Sequence, residues 1–108
     1  MMMGNKYGAR KVIAPDGTVY DSRKEYNRWC NLRLLERAGK ISGLKRQVKY
    51  EMIPKQDGER ACTYVADFVY FDSDGKQVVE DCNGFRTEGY KIKRKLMLWV
   101  HGIKIKET

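Results

Sequence analysis

Two aspartates sit where aspartates are costly. Asp67 interrupts the apolar run Tyr64-Val65-Ala66-Asp67-Phe68-Val69, and Asp81 stands in Val78-Val79-Glu80-Asp81-Cys82. A carboxylate in such a run has to be compensated by positive charge. A buried salt bridge to one of the many lysines or arginines is one solution. The other is a divalent ion, because two acids on neighbouring strands can converge on Mg²⁺, which takes carboxylate, water and phosphate oxygens. Two buried like charges favour the ion over the salt bridge. A metal placed there would polarise a scissile phosphate and lower the pKa of an attacking water.

Two further acids bear on this pair. Glu80 competes with Asp81, and strand alternation sends the two to opposite faces without saying which face holds the site. Glu25 follows Ser22 in Ser22-Arg23-Lys24-Glu25, a capping box in which both side chains satisfy free backbone N–H groups. Glu25, Trp29 and Leu32 also share one side of a helix, so Glu25 can face the sheet and join a metal shell. Among the cations, Lys93 lies one turn before Leu96 and Met97 on the border of an apolar stripe. From there it can reach inward and stabilise charge developing on phosphate.

The elements that must position these groups are legible as pattern. Residues 1–9 read as a flexible basic arm, and residues 10–108 as a single domain. Residues 11–14 and 18–20 form a small hairpin around Pro15-Asp16-Gly17. A helix starts at Ser22, carries Tyr26, Trp29, Cys30, Leu32, Leu34 and Leu35 at helical spacing, and stops at Gly39. Three strands follow, over 47–53, 61–71 and 76–83. Pro54 closes the first, and the turn Asp72-Ser73-Asp74-Gly75 joins the second and third as antiparallel neighbours. The second is apolar on both faces, the mark of a central strand. Thr87 caps a second helix that runs to about Val100, and residues 103–105 make a last strand.

Charge and cysteine content narrow the functional classes. The chain has 22 Lys and Arg against 14 Asp and Glu, a formal net charge of +8 that points to a polyanionic partner. Lys6, Arg10, Lys45, Arg46, Asn83, Lys91, Arg94 and Lys95 are the candidate contacts to a nucleic-acid backbone. For Lys91 and Lys95 the plain alternative is a solvated charged face. The charge argument covers RNA as well as DNA. Cys30, Cys62 and Cys82 form no CxxC pair, and His101 has no cysteine at finger spacing, so a zinc site is not expected. The cysteines read as reduced, which points to the cytoplasm. No signal peptide or membrane span is expected.

The chain resembles the DUF1064 family of small phage and prophage proteins, placed within the PD-(D/E)XK nuclease superfamily. The resemblance rests on Asn5-Lys6-Tyr7-Gly8, Asp21-Ser22-Arg23-Lys24-Glu25, Leu34-Leu35-Glu36-Arg37-Ala38-Gly39, Tyr64-Val65-Ala66-Asp67-Phe68, Val79-Glu80-Asp81 and Lys91-Ile92-Lys93-Arg94-Lys95-Leu96. These stretches run over nearly the whole chain in order. The resemblance implies an α/β (α+β) fold with a restriction-endonuclease-like αβββαβ core and a mixed sheet flanked by helices. It also implies Mg²⁺-dependent (or Mn²⁺-dependent) phosphodiester hydrolysis in a bacterial host. It assigns Glu25, Asp67 and Asp81 as the acids, and so favours Asp81 over Glu80. One position departs from the pattern. The family's Asp-x-Lys reads Asp81-Cys82-Asn83 here, so the lysine has to come from elsewhere, and Lys93 is the candidate.

Three functions follow as expectations. The first is a DNA endonuclease (a hydrolase), of a kind that can act on branched DNA such as Holliday junctions. Two symmetric cuts need two sites, which sets the expectation of a homodimer. The second is a DNA-binding module with a weakened nuclease site, favoured by Asn83. The third is an inhibitor of a host factor.

Overall fold

A computed structural model describes residues 10–82 and 87–108. The basic arm expected over residues 1–9, with Lys6, lies outside the described residues, as does Asn83. The first two strands, β1 (Val12–Ile13) and β2 (Val19–Tyr20), form the expected hairpin. Asp16 shapes its turn by accepting the Thr18 N–H at 2.9 Å. Helix α1 (Arg23–Arg37) starts where the capping residues require, with the Ser22 hydroxyl accepting the Glu25 N–H at 3.1 Å.

The main sheet is built from β3 (Ser42–Ile53), β4 (Cys62–Phe71), β5 (Gln77–Asp81) and β6 (Lys106–Glu107). Its order is β3-β4-β5-β6. The first two pairings are antiparallel, and β5 pairs β6 in parallel, so the sheet is mixed. β4 is an inner strand, as its two apolar faces require. The β4–β5 turn is fixed by Asp72, whose Oδ1 accepts the N–H groups of Asp74 and Lys76 at 2.9 and 3.0 Å. Between β5 and β6 runs α2 (Glu88–His101), capped by Thr87 and ended by the left-handed Gly102. After the hairpin the order of elements is therefore α, β, β, β, α, β. No helix among the described residues is long and apolar enough to cross a membrane.

Two boundaries differ from the sequence pattern. β3 begins at Ser42 rather than Gln47. Residues 42–46 have no clean alternation, yet pairing with β4 carries them, through Ser42 opposite Phe71 and Lys45 opposite Val69. The register shifts between these pairs, and Gly43 at φ 64° makes that bulge possible. At the other end, β6 is Lys106–Glu107 rather than 103–105. Ile105 is buried and Ile103 packs beside it, both as core-filling residues ahead of the strand. Burial took the isoleucines and left the ladder to two charged residues.

The sheet has a core on each face. Toward α1, Leu32, Phe68, Tyr70 and Cys82 pack together. Toward α2, Tyr64, Ala66, Val69, Val79, Met97 and Ile105 do so. Along β4 this breaks the period of two, because Tyr64 and Ala66 face α2 while Phe68 and Tyr70 face α1. The break falls at Asp67. Continuing the β3–β4 register sets Gln47 opposite it, the non-glycine residue of the described chain with positive φ, at 54°.

Leu32 is fully buried, whereas Ile92 on the outer side of α2 is 57% exposed. Leu32→Ala is expected to cost about 2–5 kcal/mol in urea unfolding. Ile92→Ala is expected to stay within about 0.5 kcal/mol of the parent.

Candidate active site

On β5 the side chains alternate, so Val79 and Asp81 face α2 while Glu80 and Cys82 face α1. Glu80 is completely buried. It accepts two hydrogen bonds from Arg28, from Nε at 2.9 Å and from the second guanidinium nitrogen at 2.6 Å. The Tyr70 hydroxyl donates to the same carboxylate. Burial alone would push the Glu80 carboxyl up. The hydrogen bonds from Arg28 and Tyr70, with the charge of Arg28, outweigh it and hold the group below its ordinary value. Burial and the neighbouring carboxylate push the Tyr70 phenol up to about 12, so it remains a donor. Glu80 is thus engaged as the counter-ion of α1, which separates its role from that of Asp81.

Asp81 lies on the other face, 8% exposed, and its Oδ2 accepts the Tyr64 hydroxyl at 2.8 Å. Burial and the charge of Asp81 raise the Tyr64 phenol, keeping its proton on the donor. Asp67 is also 8% exposed. Its Oδ2 accepts the Cys82 N–H at 2.8 Å, a bond from the strand that carries Asp81. The β4–β5 ladder pairs Phe68 with Glu80 and Val69 with Val79. Asp67 and Asp81 each lie one residue beyond the Phe68–Glu80 pair, and the charges of both act on the Tyr64 phenol. Each aspartate thus accepts a short hydrogen bond that orients it, Asp81 from Tyr64 and Asp67 from the Cys82 N–H.

Glu25 joins from α1. It is 1% exposed, so it faces the sheet rather than solvent. Its Oε1 accepts the Asp21 N–H at 3.2 Å, one residue ahead of the cap. Its Oε2 accepts from Arg46 at 3.3 Å and from Gln47 Nε2 at 3.4 Å. The same Gln47 amide reaches Asp67 Oδ1 at 3.5 Å. Gln47 therefore spans the first-helix acid and the first strand acid. Its left-handed backbone and the break in β4 alternation coincide at this contact. Among the described residues no group of three or more His, Cys, Asp or Glu is gathered to hold a metal ion. The structure ties Asp67 to the strand of Asp81 through the Cys82 N–H, and ties Glu25 to Asp67 through the Gln47 amide.

The expected cations fall into different settings. Lys93 is half-buried on α2, one turn before the fully buried Met97. Arg46 turns inward, to Glu25 and over the Tyr20 ring at 4.1 Å. Arg94 pairs with Glu107 at 3.3 Å, and Lys91 approaches Glu88 at 3.9 Å. Arg10, Lys45 and Lys95 are exposed. Three site residues escaped the sequence reading: Arg28, Gln47 and Tyr64. Arg28 had a signal, since it lies three residues after Glu25 on the same helix face. Tyr64 had none, because strict alternation sends residues 64 and 67 to opposite faces.

The fold and site define an α+β domain with a mixed four-stranded sheet, two helices and buried acids on two adjacent strands. A family model described as a protein of unknown function (DUF1064) matches residues 4–106, and the chain belongs to that family. No curated protein and no solved structure matches it.

The Glu80 network sets a pH signature. A carboxyl held below its unfolded value contributes stability that is complete above that value, near 4.5, and is lost as pH falls through the folded value. Arg28→Met leaves the buried charge uncompensated and is expected to cost about 3–5 kcal/mol at pH 7. Burial then dominates and the Glu80 carboxyl rises. The deficit in urea midpoint against the parent should therefore narrow between pH 7 and pH 5.

Proposed function

We propose that this chain is a metal-dependent DNA endonuclease of the PD-(D/E)XK kind. The observation that carries this reading is that Asp67 and Asp81 both lie just beyond the Phe68–Glu80 pair and both act on Tyr64, while Glu80 is engaged by Arg28. The order of elements supports it, with acids on the first helix and on the second and third strands of the sheet. The net charge of +8 supplies attraction to a phosphodiester backbone.

The donor set fits a hard cation, since Mg²⁺ needs only one or two protein carboxylates and keeps water and phosphate oxygens for the rest. Asp67 and Asp81 would hold it, with Glu25 in the outer shell. When bound, such an ion supplies polarisation of a phosphoryl oxygen and a more acidic water. The protein's own groups set the geometry. Tyr64 and the Cys82 N–H orient the two carboxylates, and Gln47 ties Asp67 to Glu25. Lys93, half-buried beside the same core, is assigned as the cation that offsets phosphate charge in place of the lysine replaced by Asn83. The partner is DNA and the working unit a homodimer.

The test is cleavage of linear, branched and single-stranded DNA with Mg²⁺ or Mn²⁺. Asp67→Asn and Asp81→Asn should each lower the rate by at least about 100-fold, since several kcal/mol of charge stabilisation are removed. Absence of cleavage on every substrate, or full activity in Asp67→Asn, overturns the reading.

The departure at Asn83 supports a second reading, a DNA-binding domain with a weakened nuclease site. Asn83→Lys separates the two. A large gain in rate marks the natural protein as impaired, and no gain means that another cation already serves.

Gln47 offers a finer measurement. Asn tolerates positive φ, but in Gln47→Asn the amide is one methylene too short to span both acids. Mn²⁺ affinity is expected to fall by roughly 10- to 100-fold, as for lost outer-shell partners. The thermal midpoint should hold.

A further inference from the structure

A cavity of about 230 Å³ opens between the β1–β2 turn and α1. Its walls are Tyr20, Tyr26 and Trp29, and Asp16 and Arg33 also line it. The aromatic walls are held firmly. Tyr20 and Tyr26 meet edge-on with ring centres 5.1 Å apart. Trp29 is stacked on Phe68 at 6.0 Å and 15°, which anchors the indole to the core. The Arg33 guanidinium lies 5.9 Å from the Trp29 ring centre. The cavity thus offers aromatic surface on Tyr26 and Trp29, with Tyr20 buried behind them under Arg46, a fork of donors on Arg33 and an acceptor on Asp16. Its volume falls below the roughly 300 Å³ at which pockets for drug-sized ligands begin. A single planar heterocycle with donors and acceptors on its edge matches this lining, and a nucleobase is such a group.

Position adds the second half of the argument. Arg46 lies over the Tyr20 ring at 4.1 Å and also pairs with Glu25 at 3.3 Å. Among the described residues its buried Nε meets no hydrogen-bond partner. One arginine therefore adjoins both the aromatic cavity and the acid cluster. With arginines at 33 and 46 and a net charge of +8, the surroundings favour a ligand that carries phosphate.

We propose that this cavity receives the base of an unpaired nucleotide next to the phosphate held at the acids. The proposal rests on the nuclease reading for the role of the acids, and it names the substrate class: nucleic acid with bases already out of the stack. A base inside a duplex must first be unpaired and unstacked, at a cost of a few kcal/mol. Flaps, branch points and single strands avoid that cost.

The experiment measures binding without cleavage, with the full chain in EDTA. Probes are a fluorescent single strand, the fully paired duplex of the same sequence, and a free nucleoside monophosphate. Tyr26→Leu should weaken single-strand binding by roughly 5- to 150-fold, the range for one lost stacking partner, and leave duplex binding within about twofold. Equal losses on both polymers, or no loss, overturn the proposal. So does nucleoside monophosphate binding as tight as the single strand, which would make the cavity a small-molecule site.

A second measurement does not depend on that variant folding. The chain has two tryptophans, and Trp99 is 86% exposed. In Trp99→Phe, Trp29 is the sole indole, and its emission should change on adding single strand but not duplex. An unchanged signal with saturating single strand overturns the proposal. The two readings fail separately. If Asp67→Asn cleaves normally while the Tyr26→Leu selectivity is as expected, the nuclease reading falls and the cavity stands. If Asp67-dependent cleavage is intact but Tyr26→Leu binds every probe like the parent, the cavity falls and the nuclease reading stands.

Discussion

A carboxylate carried into the middle of a sheet has to meet a cation there or give up its charge. Glu80 meets Arg28, across 52 residues of sequence, through a bidentate contact backed by Tyr70. The geometry of that contact leaves α1 little freedom to slide or rotate over the sheet. Glu25 lies three residues before Arg28, on the same helix face. Once Arg28 is pinned to Glu80, Glu25 is set down over β3, against Arg46 and Gln47. A pair with no direct part in the proposed chemistry therefore places one of the acids that has one.

The second constraint lies in the sheet itself. In a regular strand, residues 64, 66, 68 and 70 would share one face. Here Tyr64 and Ala66 serve the α2 core while Phe68 and Tyr70 serve the α1 core. Asp67 stands at the changeover, opposite the left-handed Gln47. This irregularity lets Asp67 touch groups from both sides, the Cys82 N–H on β5 and the Gln47 amide that also reaches α1. Departures from regular strand geometry concentrate at functional positions, and this one coincides with the acids.

Features governed by local chemistry were readable in the sequence. The Ser22 cap, the Asp72 turn and the Thr87 cap each depend on a side chain bonding to backbone a few residues away, so short windows suffice. The inner position of β4 followed from its apolar content. The acids stood out because their neighbours are apolar. Features governed by distant contacts were hidden. The start of β3 depends on pairing with Phe71 and Val69, and β6 is displaced because the core claims Ile103 and Ile105. Gln47 gave no warning of positive φ, since that conformation is imposed by what lies across from it. Tyr64 was hidden by the same break in alternation that makes its contact with Asp81 compatible with the position of Asp67.

The parallel pairing of β5 with β6 has a bearing on the order of folding. Parallel neighbours need a crossover, and here α2 is that crossover. Until α2 has formed and packed, β5 is the open margin of a growing antiparallel sheet, a surface on which a second chain can add a strand. Val78 and Val79 alone would make that margin adhesive. Glu80 and Asp81 stand at its end, and inward-pointing charge is among the devices that keep sheet margins from joining. The carboxylates that distinguish the mature domain thus also guard its most vulnerable strand while the chain is still assembling.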